Sequence, residues 1–440
     1  MLAAVGPGIV VTGSVIGSGE MINTPTQAAK FGFVLLWAVL VSCVIKYFLQ
    51  VEIARYCLVE NRSTFQALNA IPGPKFRGTI WIAWVYMVGY VLVMLVVVGI
   101  IGSLGGLMNT LWPLAESPER SGQIWGGLCC LLGLVLLWQG LYPRLETLVT
   151  LLVAGFSLSV GVGVFLIQGT EYRISGEELL SGLTFSLGPD RQAAGFAVIS
   201  LMGALGVAAN EMFMYPYWIL EKGYREHLGD PADPQWPARA RHWINTIRLD
   251  AGLALLVTTI VTAAFYLLGA AVLFRRGEVP QGLAVVEQIS SVYTKSYGEW
   301  SSLIFFVGAF CTLFSTLVVV VAASGRMWAD FISSIGLLNR DDPRAIRRCH
   351  QVVQVVWMAG LYTAFLTLNI GPVTSIIVGH FILGGFLTPL LMFCIVWMAF
   401  HTDKRVRMGR ATAVALIASV AVIVACVAIG GWHALAALRA

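Results

Sequence analysis

Eleven apolar stretches, each long enough to cross a bilayer, account for most of this 440-residue chain. Their approximate bounds are 7–30, 33–57, 79–111, 122–141, 145–168, 192–220, 251–274, 301–325, 350–369, 374–400 and 411–434. A hydrocarbon core about 30 Å thick needs about 20 apolar helical residues to span it, and within it each segment must satisfy its own backbone polar groups. The chain is therefore expected to be an all-α integral membrane protein. Composition agrees: 58% of residues are hydrophobic, 12% are charged and the mean hydropathy is +0.81, where a soluble domain has about a quarter of its residues charged.

The distribution of Lys and Arg fixes the order of the loops, because cytoplasmic loops retain positive charge. With eleven spans, 18 of the 28 basic residues fall on one side and 8 on the other, while Lys46 and Arg55 lie within span two. The richer side holds the loops around Lys75, Arg144, Arg239, Arg347 and Arg405. This predicts a multi-pass protein of the inner (plasma) membrane with its amino terminus in the cytoplasm. The net charge of +5 follows from that asymmetry and calls for no nucleic acid. The eight cysteines show no CxxC or Cys/His ligand spacing and read as small core residues. The first apolar run lacks a charged lead and flows into a full span, so no cleavable signal is expected. The longest loop, Glu221 to Asp250, contains "GDPADPQWPARAR" and is expected on the basic surface, with a shorter one from Gly169 to Arg191 on the other side. A single membrane domain over 1–440 is expected.

Two distant stretches share their wording: "GSGEMINTP", Gly17 to Pro25, and "AANEMFMYP", Ala208 to Pro216. Each sets a glutamate after small or polar residues, a methionine next, and a proline five positions beyond the glutamate. They fall in spans one and six. If spans one to five and six to ten are copies of one unit, the odd number of helices turns the second copy upside down, as in the inverted repeats of secondary transporters. Repeat one then covers about 6–168, repeat two about 192–400, and an extra helix about 411–434.

Glycine and proline within a span weaken its helix, so Gly17, Ser18 and Gly19 with Pro25, and Ala209 and Asn210 with Pro216, are expected to mark breaks at mid-membrane. An acid facing lipid is costly by several kcal/mol, and an intramembrane acid is a functional-site hypothesis by default. Glu20 and Glu211, at matching repeat positions, are the expected charge-bearing ligands. Gly17, Ser18, Gly19, Ala209 and Asn210 stand beside them. Lys46 could line a pathway or serve coupling, while Glu52 and Arg55, three apart on span two, read as a structural ion pair. His380 in span ten could relay protons or bind substrate, and equally could be a hydrogen-bonded interior histidine. Arg144 and Glu146 read as anchors at the start of span five. No catalytic constellation is present, so no enzyme and no cofactor are expected.

The "GPG" of Gly6 to Gly8, "KFGFVLLW" from Lys30 to Trp37, "QVEIAR" from Gln50 to Arg55 and "YPRLE" from Tyr142 to Glu146 resemble the Nramp family of proton-coupled divalent-metal transporters. The resemblance covers most of the first five spans and extends more weakly to the eleventh. It implies a LeuT-type fold with substrate held between the unwound centres of helices one and six. The family's functional motifs are altered. Where its first helix carries Asp-Pro-Gly-Asn, this chain has Gly17, Ser18, Gly19 and Glu20. Its sixth-helix Met-Pro-His is replaced within Glu211 to Pro216, so Met212 and Met214 inherit no ligand role.

Without a sulfur ligand from span six, carboxylates, carbonyls and water suit a hard divalent ion of the Mg2+ or Mn2+ type better than a soft one. That is the first reading. The alternative uses the uncharged helix break as an anion cradle, with a small anion such as bicarbonate as substrate and the glutamates binding Na+ or taking up H+. A transporter-like sensor without flux is the third reading.

Overall fold

The fold is described from a computed structural model over residues 17–139, 142–298 and 300–437, with side chains over the same ranges except 142–150 and 433–437. The part of span one before Gly17, the Gly6–Gly8 motif and the side chains of Tyr142–Glu146, with Arg144 and Glu146, lie outside the described residues.

The described part of span one begins at Gly17 and passes through a π-helical segment, Gly19–Asn23, into α1, Thr24–Phe31. Span two is α2, Leu36–Glu60. A short helix α3, Thr64–Asn69, and a two-stranded antiparallel hairpin, β1 Lys75–Phe76 and β2 Thr79–Ile80, follow on the basic side. Span three is divided at Met94 into α4, Trp81–Val93, and α5, Leu95–Leu111. Spans four and five are α6, Pro118–Trp138, and α7, Tyr142–Leu166. After the small helix α8, Gly176–Ser181, span six is formed by α9, Arg191–Ala204, and α10, Ala209–Glu221. Span seven is α11, Trp236–Gly269, prolonged by a π-helical segment Ala270–Phe274. A surface helix, α12, Val285–Tyr297, precedes spans eight and nine, α13 Ser301–Ser334 and α14 Pro343–Thr367. Span ten joins α15, Pro372–Ile382, through a π-helical segment Leu383–Leu387 to α16, Thr388–Phe400, and span eleven is α17, Arg410–Ala437.

Among the described residues, ten helical stretches are long and apolar enough to cross a membrane, and only part of span one is described. Their ends follow ordinary helix chemistry. Prolines open α6, α14 and α15, where the missing N–H is no loss. The Asp342 carboxylate accepts from the amides of Arg344 and Ala345 at 2.9 and 3.2 Å, and α2 ends on left-handed Asn61. Span nine and span eleven bury little and present residues such as Val356, Val414 and Ile417 outward, as a lipid-facing layer does.

Three expectations about the elements need correction. The second half of the loop from Glu221 to Asp250 is helical, because α11 begins at Trp236 and carries its basic residues out beyond the apolar run. Pro25 and Pro216 do not break their helices. Pro25 sits in the first turn of α1, and the helix widens to π geometry just before it, with the Thr24 hydroxyl closing on the Gly19 carbonyl at 2.9 Å. The same device recurs at Thr388, which precedes Pro389 and donates to the Leu383 carbonyl at 2.9 Å. A proline removes one donor from the ladder, and a wider turn with a hydroxyl restores it. Pro216 lies inside α10. The interruption of span six lies earlier, at residues 205–208, where Leu205 is extended and Gly206 has a φ of +68°.

Candidate functional site

The geometry of the two glutamates is set by where each half-helix begins. In span one the Gly17 amide donates to the Glu20 Oε2 at 3.1 Å, and in span six the Ala208 amide donates to the Glu211 Oε2 at 2.8 Å. Both are bonds from residue i to the carboxylate of residue i+3. The first amides of a helix have no intrahelical acceptor, and a carboxylate there is favoured by the helix dipole. The duplicated wording thus carries one local contact twice: an amide at the start of a helical segment donates to the carboxylate three residues on.

These two starts face each other across a cavity of about 50 Å3. Gly17, Ser18, Gly19 and Glu20 line it from span one, Asn210 and Glu211 from span six, and His380 from span ten. Glu20 is fully buried, whereas Glu211 and Asn210 are partly exposed into the cavity space. Two buried side-chain atoms of the lining have no protein partner, Glu20 Oε1 and Asn210 Oδ1, and both are acceptors. A second cavity of about 30 Å3 shares Asn210, Glu211 and Thr316, and continues past Tyr90, Met214 and Trp218 along α10. Space of this size suits an inorganic ion with little water, and not an organic solute.

Ala209 is buried in the first turn of α10 but does not line either cavity. Lys46 stands behind the span-six break. Its Nζ donates to the Leu205 carbonyl at 2.6 Å, and the Ser42 hydroxyl donates to the same oxygen at 3.1 Å. His380 is an interior, hydrogen-bonded histidine that also reaches the cavity. Its Nδ1 lies 3.5 Å from the Asn23 amide nitrogen, which also donates to the Ser200 hydroxyl at 3.1 Å, while the Gln27 amide donates to the Asn23 oxygen at 3.1 Å. This buried polar chain ties spans one, six and ten together on the side of Glu20 towards the end of α1. Glu52 and Arg55 form the expected ion pair, fully buried, and Arg55 also donates to the carbonyls of Val406 and Ala399 at 3.1 and 3.0 Å.

Sequence reasoning missed Asn23, Ser200, Ser42, Thr316 and Met94, all at or beside the cavity. Asn23 carried a signal, since it lies three positions after Glu20 on the same apolar run. Ser42 also stands four residues before Lys46, on one face of span two. Met94 brings a thioether to the lining from the kink in span three, a place where no acid or break pointed.

Glycines allow the close contacts that assemble this centre. A Cβ at Gly203 would fall 1.8 Å from the His380 carbonyl oxygen, and one at Gly384 would fall 2.2 Å from the Ile199 carbonyl. The first half of span six therefore lies directly on the backbone of span ten. Gly206 packs on Cys43 of α2, with its hypothetical Cβ 3.0 Å from the Cys43 Cα.

A bundle of apolar spans, an interruption in span six and two acids facing one ion-sized cavity describe a polytopic membrane protein with a buried site of the kind transporters carry. The chain matches the family described as natural resistance-associated macrophage protein-like, Nramp, over residues 8–433, and it belongs to that family. Among solved structures, the manganese transporter of Eremococcus coleocola in complex with an aromatic bis-isothiourea substituted compound is similar in fold, with a TM-score of 0.63 at 15% identity over 98% of this chain and 85% of that one. Two point mutants of the same transporter give TM-scores of 0.60 and 0.59 at the same identity and coverage. These similarities establish the LeuT-like fold. No curated protein sequence matches the chain.

Proposed function

We propose that the chain is a secondary-active carrier of a hard divalent cation, of the Mg2+ or Mn2+ type, held between Glu20 and Glu211. The observation that carries this reading is the pair of half-helix starts, each closed by its own carboxylate and facing one cavity, with the orphaned oxygens Glu20 Oε1 and Asn210 Oδ1 in its lining. Unpartnered buried acceptors ask for a cation. The anion reading loses support for the same reason, because the Gly17 and Ala208 amides it would use already donate to carboxylates. The fold relative from Eremococcus coleocola is described as a manganese transporter, which agrees with a divalent substrate.

In this reading the single domain over 1–440 consists of repeat one at about 6–168, repeat two at about 192–400 and an added helix at about 411–434. It works by alternating access in the inner membrane, with its amino terminus in the cytoplasm and H+ or Na+ as coupling ion. Gly17, Ser18, Gly19 and Asn210 complete the shell with backbone and side-chain oxygens. The test is flux into proteoliposomes of Mg2+, Mn2+, Ca2+, Cd2+ and bicarbonate, each with and without Na+ and pH gradients. Mg2+ or Mn2+ uptake that collapses in both Glu20→Gln and Glu211→Gln supports the reading. A strong preference for Cd2+ would instead point to Met94, and undiminished uptake in both variants would remove the glutamates from the site.

A further inference from the structure

Unwound carbonyls at a broken transmembrane helix are places where carriers coordinate a monovalent co-ion. In this chain such a carbonyl, that of Leu205, is taken by an ammonium group. Lys46 is fully buried, its Nζ lies 2.6 Å from that oxygen, and the Ser42 hydroxyl completes the contact from one turn away on the same helix. The charged and titratable groups facing Lys46 are Glu20 from span one, Glu211 from α10, Cys43 from its own helix and His380 from α15. A buried ammonium is tolerated inside a membrane bundle only when paired or in a polar cavity, and here its hydrogen-bond partner is the freed Leu205 carbonyl, with the charges of the two site carboxylates acting on it from beyond ion-pair contact.

We propose that Lys46 is a tethered cation that takes the place of a diffusible Na+ at the span-six break, so that this carrier holds the break and offsets its glutamates without Na+. The inference rests on the cation-carrier reading and narrows it by removing a Na+ site at the span-six break. Gly206 supports the placement. Its positive φ and its contact with the backbone of Cys43 bring the break directly against the face of α2 that carries Ser42 and Lys46.

The test compares wild type, Lys46→Ala and Lys46→Arg in proteoliposomes with Mn2+ and Mg2+ as probes, in Na+ or choline media of equal ionic strength. Wild-type uptake should differ by less than about twofold between the media. Lys46→Ala should lose about tenfold or more in choline and recover about fivefold with Na+, and Lys46→Arg should retain Na+-independent uptake. In parallel, Na+ should raise the melting temperature of purified Lys46→Ala relative to choline and leave wild type unmoved, since a ligand stabilises only a protein with a site for it.

A Na+-specific rise in wild-type uptake or melting temperature overturns the proposal, and that measurement holds even if Lys46→Ala fails to fold. So does folded Lys46→Ala that transports normally in choline, or that responds to Na+ in neither assay. Absence of Mn2+ and Mg2+ flux in wild type, with Na+ still stabilising Lys46→Ala, would keep the tethered cation and remove the metal-carrier reading. Flux without any Na+ response in the variant would do the reverse.

Discussion

Glu52 and Arg55 show what a charge needs in the interior of this bundle. Arg55 spends its donors on the Glu52 carboxylate, on the Ala399 carbonyl at the end of span ten and on the Val406 carbonyl in the segment joining spans ten and eleven, so it fastens span two to both. Removing one member of such a pair leaves the other uncompensated, at about 3–5 kcal/mol, whereas removing both with apolar groups of similar size is far milder. Arg55→Met should therefore lower the melting temperature of the purified protein strongly, and the Glu52→Leu/Arg55→Met double variant should recover much of the loss. Equal melting of the two variants would show that the pair is not coupled. At this scale the acids were legible because a carboxylate in an apolar run is improbable without a purpose. Their bonding was not legible: Glu20 and Glu211 close helix starts, and the position of a helix start within a long apolar run is set by tertiary packing. The prolines, which do stand out in a sequence, mark a widened turn before Pro25 and the interior of a continuous helix at Pro216 instead.

The interruption of span six is the element on which the site is built, and Gly206 is its pivot. Any side chain there meets both a left-handed φ, costing about 1–3 kcal/mol, and the Cys43 backbone 3.0 Å away. Gly206→Ala is expected to reduce thermal stability and to depress uptake more than a change on the lipid face such as Val414→Ala, with flux and melting curves as the measurements. On the basic surface Arg405 clasps the Asp403 carboxylate, donates to the Pro231 carbonyl at 2.9 Å and lies 4.6 Å from the centre of the Trp236 ring. Its hydrogen bonds hold the Asp403 carboxyl below the usual range. A carboxylate with a depressed pKa in the folded protein contributes above its unfolded pKa, near 4, and the contribution fades as the pH falls through the folded value. Arg405→Ala should thus be less stable than wild type at neutral pH, with the gap narrowing in acid; a constant gap from pH 7 to 3 would assign the clasp to packing on Trp236 alone. The spans were readable because length and hydropathy are one-dimensional quantities. The amphipathic α12 and the helical start of α11 were not, since polar helices at a membrane surface look like loops until their packing partners are known.

At the scale of the molecule, the uneven distribution of Lys and Arg orders the loops. Single cysteines replacing Lys75 and Glu116, in a background freed of reactive native cysteines, should react with a membrane-impermeant maleimide from opposite faces: Lys75→Cys only after the cytoplasmic side is opened, Glu116→Cys in intact cells. Labelling of both from one side would refute the span order. The family and its fold were legible from short motifs in the first half of the chain, whereas the changed residues at the centre made the cargo harder to read than the architecture.

The contact between Gly203 and Gly384 has a further consequence. Main chain rests on main chain there, with no side chain in between to change rotamer and let the surfaces slip. The first half of span six and the middle of span ten are therefore expected to move as one plate, with any parting around the cavity running along the hydrogen bonds of Asn23 instead. Spin labels on the two members of that plate should keep their separation through a transport cycle, while a pair spanning α1 and α15 should not.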